Sequence, residues 1–569
     1  MRALGVALIL GSAAVCLAQS RDAMFESLAD RYYNEVVFRY DPASGTQAGF
    51  HQFDSQLPSG AHSEILAEIA ALRRFEAEVA KFDPRGLSAF AAADHELLLS
   101  QIRGQLLEVE TIRPWEKNPD TYSSGAAGVI FVIMSRNYAP AAERLKAVVA
   151  RERLIPRLFQ SARENLSNPP RVYTEVALEQ VPGIIGFFQN DVPAAFKTVS
   201  DQALMAEFHG SNQAVIDSLS AYQGWLKNDL LPRSHGDFRI GAENYRKKLL
   251  YDEMVDTPLD RLLAIGYENL RHNQEWFRRV AAEIDPKRTP QQILDELESD
   301  HPAPAWLLDT FRGVLGGLRE FIEQHHIITI PSPVPPIVEE TPPFMRALTT
   351  ASMDTPGPYE NVAKEAFFNV TLPDPAWPAK DVEEYMQGFN RGTVISTAVH
   401  EVYPGHYMQF LWLKQVPTKV RKLAGCGSNA EGWAHYTEQM MLDEGYGNGD
   451  RKLRLGQLQD ALLRNARFIA GIQLHTGNMT VAQAVEFFVK EGYQVRPVAE
   501  KEAKRGTSDP TYLVYTLGKL QILKLREDYK KKKGAQFSLQ EFHDSFIRQG
   551  TPPIKIVRRP LLGDDSPVL

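Results

Sequence analysis

Residues 400–406 read His400-Glu401-Val402-Tyr403-Pro404-Gly405-His406, a stretch that contains two imidazoles and a carboxylate. A second acidic stretch follows and reads Glu431-Gly432-Trp433-Ala434-His435-Tyr436-Thr437-Glu438. Two neutral imidazoles and one carboxylate are the usual protein ligands of an open catalytic zinc site, where water takes the fourth position. We therefore expect His400, His406 and Glu431 to bind a zinc ion (Zn2+), with Glu401 placed to take a proton from that water.

The spacing of the two histidines differs from the usual zinc-protease motif, in which they are four residues apart on one helix face. Here they are six apart, and a straight helix would point them roughly 120° away from each other. Pro404 disturbs the preceding helical turn, and Gly405 adopts dihedrals closed to other residues. We expect this pair to bend the helix and to bring His406 beside His400. The alternative is an ordinary helix end with two unrelated histidines.

The second stretch predicts a helix with functional side chains on one face. Glu431, His435 and Glu438 lie at positions i, i+4 and i+7, which a helix presents on the same side. If Glu431 binds the metal, His435 and Glu438 are expected to orient the ligands by hydrogen bonds. The alternative is an amphipathic helix whose charged face is solvated.

Composition is that of a globular protein with a large core. The chain has 569 residues, 44% of them hydrophobic and 24% charged, and a formal net charge of -8. This mild acidity gives no reason to expect nucleic acid as a partner. No Gly-x-Ser-x-Gly elbow and no glycine-rich phosphate loop occurs, which disfavours a serine hydrolase or a nucleotide-binding enzyme.

The N-terminus resembles a signal peptide over residues 1–18. Met1-Arg2 is positively charged, Leu4 to Leu17 is apolar, and cleavage is expected before Gln19. Lipid attachment at Cys16 is disfavoured, because Val15 stands where a small residue is preferred. No other stretch is long and apolar enough for an integral membrane span. We expect an exported protein, either periplasmic or secreted.

Cysteine usage is sparse, with Cys16 in the signal segment and Cys426 elsewhere. The mature chain is therefore expected to have no intrachain disulfide. Cys426 lies near Glu431, where a metal ligand or a nucleophile is conceivable, but a buried structural thiol is the commoner case.

The remaining pattern predicts a mainly α fold. Residues 24–325 resemble a series of amphipathic helices. Within them, Asp41–Thr46 is predicted to be a loop ahead of the first long helical hairpin. Predicted helices include Ser63–Lys81, Ala141–Leu166 and Pro258–Ile284. Helices are expected again from Val382 to about Tyr529, ending in the solvated run Lys530–Lys533. We place an N-terminal helical region at 19–326 and the zinc-binding region at 327–569, as two halves of one fold.

Two segments between these halves predict a small β-sheet beside the active-site helix. Ile327–Pro343 alternates β-branched residues with proline, which suits an edge strand and irregular structure. Ala366–Leu372 is a second candidate strand. Zinc proteases commonly hold the substrate backbone on an edge strand, and Phe367–Leu372 is the predicted one.

These motifs resemble a large bacterial family with a domain of unknown function, related to the gluzincin zinc peptidases. The resemblance is carried by the His-Glu-x-x-Pro-Gly-His and Glu-Gly-Trp-Ala-x-Tyr-x-Glu motifs. Weaker matches extend it along nearly the whole mature chain, and they lie in Asp41–Gly49, Gly241–Tyr245, Glu339–Pro343 and Tyr515–Gly518. The resemblance implies a mostly helical, zinc-peptidase-like fold with a deep cleft. It also implies zinc ligands at His400, His406 and Glu431, and a general base at Glu401.

The same resemblance points to Arg467, His475 and Tyr515 as catalytic candidates. One of them is expected to stabilise the oxyanion formed on a substrate carbonyl. Arg467 has an alternative role as a partner for a substrate carboxylate. Three positions depart from the expected family pattern. Gly471 stands where an Asp is usual, Val402 stands where a Gly is usual, and Tyr407 stands where a His is common. These changes leave the proposed ligands intact but alter the residues around them, and hence the rate or the substrate preference.

The sequence therefore favours an exported zinc metallopeptidase that hydrolyses a peptide substrate. Two alternatives stay open. The same site is equally suited to a non-peptide amide or ester, and a non-catalytic envelope protein would hold a peptide in the cleft without turnover.

Overall fold

A computed structural model of the chain describes residues 21–342, 345–346 and 349–569. The segment expected to be a signal peptide lies outside these residues. Residues 21–32 are helical, and a short helix at Pro42–Ala48 follows. The main helices before the sheet are α1 (His62–Lys81), α2 (Ala89–Leu106), α3 (Asp120–Met134), α4 (Ala141–Glu152), α5 (Ile155–Asn165), α6 (Arg171–Gly186), α7 (Gln202–Trp225), α8 (Gly241–Asp252), α9 (Leu259–Ile284), α10 (Pro290–Glu298) and α11 (Leu307–Gln324).

Helices also dominate the chain after the sheet. The main ones are α12 (Ala379–Gln387), α13 (Arg391–Glu401), α14 (His406–Leu413), α15 (Gly427–Asp443), α16 (Arg451–Thr476), α17 (Val481–Lys490), α18 (Arg496–Ser508), α19 (Val514–Lys533), α20 (Leu539–Ile547) and α21 (Ile554–Leu562). The prediction of a mainly helical chain with a small sheet is confirmed. No helix of the described residues is both long and apolar enough to cross a bilayer.

The sheet has three strands, β1 (Ile337–Glu340), β2 (Ala351–Asp354) and β3 (Phe367–Val370), in the order β1-β3-β2. β1 runs parallel to β3 and β2 runs antiparallel to it. β3 is therefore the central strand, which corrects the prediction of an edge strand at Phe367–Leu372. The full burial of Phe368 and Val370 explains this position. The edge strand β2 packs against α13.

Helix boundaries differ from the predictions where capping residues override periodicity. Asp41–Thr46 is largely helical rather than a loop, because the Asp41 side chain accepts a hydrogen bond from the Ser44 amide and Pro42 begins the helix. The predicted helix Ala141–Leu166 is two helices, with Pro156 in the first turn of the second. Helices also continue beyond Tyr529, as far as Leu562.

Hydrophobic clusters connect distant parts of the chain. One cluster joins the first helices to Val420, Ala424 and Ile556. A larger cluster surrounds α13 and α15 and includes β3, α11 and α20. The helices that carry the motifs are thus embedded in the main core, which holds their backbones in fixed positions.

A charged contact joins the N-terminal segment to the loop before β3. His51 Nδ1 lies 3.1 Å from Asp54 Oδ2, and His51 Nε2 lies 2.8 Å from Glu360 Oε2. The Tyr359 amide donates to the Ala48 carbonyl at 2.9 Å. Burial lowers the pKa of His51, but the hydrogen bonds to Asp54 and Glu360 outweigh it and raise the pKa above its usual value.

This contact predicts a pH-dependent contribution to stability. A histidine with a raised pKa stabilises the fold fully below its unfolded pKa of about 6.5, and this stabilisation is lost as the pH rises through the folded pKa. We expect His51→Gln to lower the melting temperature more at pH 6 than at pH 8.5, as measured by circular dichroism. An equal loss at both pH values would contradict an ionic role for His51.

Candidate metal centre

Helices α13 and α16 run parallel, in a register that repeats every four residues. A Cβ atom on Gly392 would lie 3.0 Å from Gly456 Cα, so the backbones approach closely at this point. One turn later, the Ser396 hydroxyl donates to Asp460 at 2.6 Å, and the next turn brings His400 Nδ1 to 3.4 Å from Arg464 Nη2. Because the partners in these pairs are all 64 residues apart, this register fixes where Arg464 stands relative to His400.

The two histidines lie on different helices, since α13 ends at Glu401 and α14 begins at His406. The Pro-Gly pair therefore separates two helices rather than bending one. Gly405 folds back on the last turn of α13, where its amide donates to the Val399 carbonyl at 3.0 Å. A Cβ atom at Gly405 would lie 1.8 Å from the His400 carbonyl oxygen, so the position has no room for a side chain.

Helix α15 holds this turn from the other side. The Trp433 indole is fully buried and donates to the Pro404 carbonyl at 2.8 Å. Gln409 on α14 donates to Asn429 on α15 at 2.8 Å. Both contacts come from residues close to Glu431, and they set the position of His406 relative to that carboxylate.

His400, His406 and Glu431 converge, with one possible ligand atom from each lying within 4.8 Å of the others. Glu431 Oε2 is 3.4 Å from His400 Nε2 and 3.4 Å from His406 Nε2. This oxygen is buried and forms no hydrogen bond within the described residues. Tetrahedral ligands at zinc bond lengths are roughly 3.3–3.5 Å apart, so both oxygen–nitrogen separations match those of a metal site. The group could hold a metal ion.

Glu438 supports the cluster from behind. Its carboxylate is buried and accepts a hydrogen bond from His400 Nδ1 at 2.7 Å, which leaves Nε2 for the centre of the cluster. His435 Nδ1 lies 2.9 Å from the other carboxylate oxygen, and Arg464 Nη2 lies 3.0 Å from the first. Glu438 thus orients a proposed ligand directly, whereas His435 acts through Glu438.

Electrostatics follow from this packing. Burial lowers the pKa of His400, but the carboxylates of Glu431 and Glu438 outweigh it and raise the pKa to about 10. Burial raises the pKa of Glu438, yet the charge of Arg464 and the hydrogen bonds from His400 and His435 hold it well below its usual range. Burial lowers the pKa of His435 to about 3. A metal ion bound at His400 would take the place of any proton on Nε2, which would couple metal affinity to pH.

Glu401 and Tyr515 occupy the open side of the cluster. The Glu401 carboxylate is half-buried and makes no hydrogen bond or ion pair within the described residues. Burial raises the pKa of Glu401, although the charges of His400 and His406 act in the opposite direction, and a raised pKa suits a proton acceptor. The half-buried Tyr515 ring lies 6.4 Å from the His400 imidazole, centroid to centroid.

A close crossing of α15 and α19 places Tyr515 there. A Cβ atom on Gly432 would lie 2.4 Å from Gly518 Cα, so the two backbones touch. Gly432 follows Glu431, and Gly518 lies one turn after Tyr515. Any larger side chain at this crossing would move Tyr515 away from the cluster.

Arg467 and His475, although both on α16, are placed differently. The Arg467 guanidinium makes a bidentate ion pair with Glu502 at 2.7 and 2.8 Å and lies 5.0 Å from the centre of the Tyr515 ring. Its Nε and Nη2 atoms are therefore occupied, so the alternative role as a partner for a substrate carboxylate would require displacement of Glu502. Arg467 supports Tyr515 instead.

His475 does not reach the cluster. Its Nε2 donates to the Gly506 carbonyl at 2.8 Å, and its ring packs against Phe238 and Tyr245. It lies eight residues beyond Arg467, or about 12 Å along the helix. The contacts of His475 are therefore with other residues than those of the cluster, since spacing along α16 shows a shared face but not how far a site extends.

The three positions named above as departures from the expected pattern have neighbours of their own. Val402 is buried in the core, and the Tyr407 hydroxyl donates to the Val334 carbonyl at 2.8 Å. A Cβ atom at Gly471 would lie 2.8 Å from the Tyr512 ring, so that ring fills the space.

Cys426 is a buried thiol that donates to Glu253 at 2.8 Å, and burial raises its pKa well above the usual range.

Arg464 is the main residue that sequence reasoning missed. It lies three residues before Arg467 and four after Asp460, so helical periodicity places the three on one side of α16. That spacing was a usable signal for a buried ion-pair network. The pairing of Arg464 with Glu438 could not be predicted from the sequence, because this contact depends on the packing of α13, α15 and α16.

Comparison with known proteins places this chain in a family. The matching family is described as a bacterial protein of unknown function (DUF885), and the match covers residues 42–561, so the chain belongs to it. A solved structure of a candidate lipoprotein of unknown function from Shewanella oneidensis has 27% sequence identity and a TM-score of 0.79, with 95% of this chain and 99% of that chain covered.

A candidate lipoprotein from Colwellia psychrerythraea has the same fold. Its structure has 17% identity and a TM-score of 0.79, with 95% of this chain and 98% of that chain covered. No curated protein sequence matches this chain at a significant level.

The contact at Gly405 predicts a steric requirement for metal binding. We expect Gly405→Ala to lose most of its bound zinc, because the added methyl group collides with the His400 carbonyl and displaces His406. Elemental analysis after zinc reconstitution measures this. Gly425→Ala is the matched control, since its added methyl group has no neighbour closer than 3.9 Å. A fully loaded Gly405→Ala protein would contradict the requirement.

The buried carboxylate behind His400 predicts an effect on affinity. We expect Glu438→Gln to keep the fold and to weaken zinc binding by roughly 10- to 100-fold, because His400 loses its charged partner. Competition with a zinc chelator measures the dissociation constant. The exposed Glu444, at the end of the same helix, gives the control Glu444→Gln. Equal affinities in both variants would remove the positioning role.

Proposed function

We propose that this member of the DUF885 family is an exported zinc-dependent peptidase related to the gluzincins. The observation that carries the proposal is the convergence of the buried Glu431 Oε2 on two imidazole nitrogens, each 3.4 Å away and without hydrogen-bond geometry. A buried carboxylate oxygen without a hydrogen bond is costly unless another group binds it. A cation in the centre of the cluster would be that group.

The donor set favours zinc. Two imidazole nitrogens and one carboxylate oxygen suit a borderline cation and leave a fourth position open, as hydrolytic zinc sites do. The carboxylate of Glu438 behind His400 adds the outer partner that metal-binding histidines usually have.

The surrounding residues support hydrolysis of an amide. A zinc ion bound there would polarise the scissile carbonyl and lower the pKa of a water molecule. Glu401 would accept a proton from the attacking water and deliver it to the leaving amine, since its carboxylate has no other partner. The Tyr515 hydroxyl would donate to the oxyanion as it forms.

The sheet provides a place for a peptide backbone. β2 is an edge strand and packs against α13, which carries His400 and Glu401. An extended substrate paired with β2 would therefore lie along the helix that holds the general base. This arrangement favours a peptide over an isolated amide or ester. An envelope location fits the candidate-lipoprotein descriptions of both similar structures.

The first test is metal content combined with loss of the base. We expect about one zinc per chain in the mature protein, and none in His406→Ala. Glu401→Gln should keep its zinc and lose at least about a thousandfold in hydrolysis of a peptide library, because proton transfer is lost. Wild-type hydrolysis by Glu401→Gln, or no zinc after reconstitution, would overturn the proposal.

The oxyanion role of Tyr515 gives a second test. We expect Tyr515→Phe to lower kcat by about 10²- to 10³-fold with little change in KM, because only the transition state loses a donor. Steady-state kinetics on a cleaved library peptide measure this. The buried Tyr512, whose ring packs on Gly471, gives Tyr512→Phe as the control. Parallel losses in both variants would indicate a general structural effect.

A further inference from the structure

Three arginines surround Tyr515, and two of them are largely buried and paired with carboxylates. Arg464 lies 5.8 Å from the centre of the Tyr515 ring and pairs with Glu438. Arg467 pairs with Glu502 through both Nε and Nη2. Their side chains are only 12% and 10% exposed. Neither is therefore available to a substrate.

Arg505 is the third arginine, and it is exposed. It lies on α18, and its Nη2 donates to the Tyr515 hydroxyl at 3.3 Å. The side chain is 40% exposed, and its ion pair with Asp509 uses the same Nη2 atom, at 3.1 Å. Nε and Nη1 have no partner within the described residues. A surface pair of this kind contributes little stability, so a substrate anion could compete with Asp509 for the guanidinium.

A second cation lies on the same face of α18. Lys501 is one turn before Arg505, is exposed, and forms no ion pair within the described residues. The two largely buried arginines beside Tyr515 are each matched by a carboxylate, Arg464 by Glu438 and Arg467 by Glu502. The wall next to Tyr515 therefore carries an unmatched positive charge.

We propose that Arg505, assisted by Lys501, binds a carboxylate of the substrate a short distance from the scissile bond. The inference rests on the proposed function, because it assumes that the substrate carbonyl lies between Glu401 and Tyr515. A guanidinium in contact with the Tyr515 hydroxyl is then within one or two residues of the cleaved bond, given 3.8 Å between consecutive Cα atoms. A substrate carboxylate that displaced Asp509 would reach Nη2 together with either Nη1 or Nε, and each of these two edges of the guanidinium matches the planar geometry of a carboxylate.

Two sources provide such a carboxylate, namely the free C-terminus of a short peptide and the side chain of an Asp or Glu residue. A C-terminus would make the enzyme a carboxypeptidase or dipeptidase. A side chain would make it selective for acidic residues. The shared chemistry is the carboxylate, and matched peptides separate its sources.

The experiment measures binding without turnover. Calorimetry on zinc-reconstituted Glu401→Gln protein compares N-acetyl-Ala-Ala-Ala with a free carboxylate, its C-terminal amide, and an amidated peptide with Asp in the last position. We expect at least one carboxylate peptide to bind at least about tenfold more tightly than the uncharged amide, since hydrogen bonds to charged groups are strong. Adding Arg505→Gln should remove this difference.

The matched control is Arg496→Gln on the same helix, because Arg496 is also exposed and pairs with Glu486 away from Tyr515. It should leave the preference unchanged. Equal binding of all three peptides, no binding at millimolar concentration, or a preference that survives Arg505→Gln would each overturn the inference. Zinc-dependent hydrolysis of acid and amide at the same rate would retain the hydrolase and remove the carboxylate site. A protein that discriminates carboxylates but never binds zinc would retain the carboxylate site and remove the zinc hydrolase.

Discussion

A buried carboxylate, that of Glu438, connects the three helices on which the candidate site depends. Removing an ionised carboxylate from water costs several kcal/mol, and the cost is offset only where partners surround it. His400, His435 and Arg464 are these partners, and they come from α13, α15 and α16. Removing one of them would leave an unmatched buried charge. The interaction therefore selects one arrangement of the three helices, and with it one orientation of the His400 imidazole.

Close backbone contacts make that arrangement possible. Gly392 meets Gly456 where α13 and α16 come together, and Gly432 meets Gly518 where α15 and α19 cross. Each contact lies a short distance along its helix from a side chain of the site. The glycines let the helices approach closely, and this approach brings the long polar side chains of the site together. A larger residue at any of the four positions would separate the helices and lengthen the hydrogen bonds between them.

Much of the fold and of the metal cluster could be predicted from sequence, and the physical reason is locality. Helices, and the shared face of Glu431, His435 and Glu438, follow from periodicity within one segment. Gly405 marked the turn between the histidines, although it separates two helices instead of bending one. Contacts between segments could not be predicted in this way. His475 shares a helix with Arg467 but points to other neighbours, and the candidate strand at Phe367 became central because β2, which the sequence did not reveal, pairs with its second edge.

Burial divides the site into a supporting side and an open side. Behind His400, the side chains of Glu438 and His435 are buried, and the largely buried Arg464 pairs with Glu438. On the opposite side, Glu401 and Arg505 retain atoms without partners, and Tyr515 is half-buried. A rigid, satisfied interior fixes the ligands, whereas reaction and recognition need groups whose hydrogen-bonding capacity is still free. A substrate would therefore approach from the side of Tyr515, where it meets the base, the hydroxyl and the unmatched positive charge together.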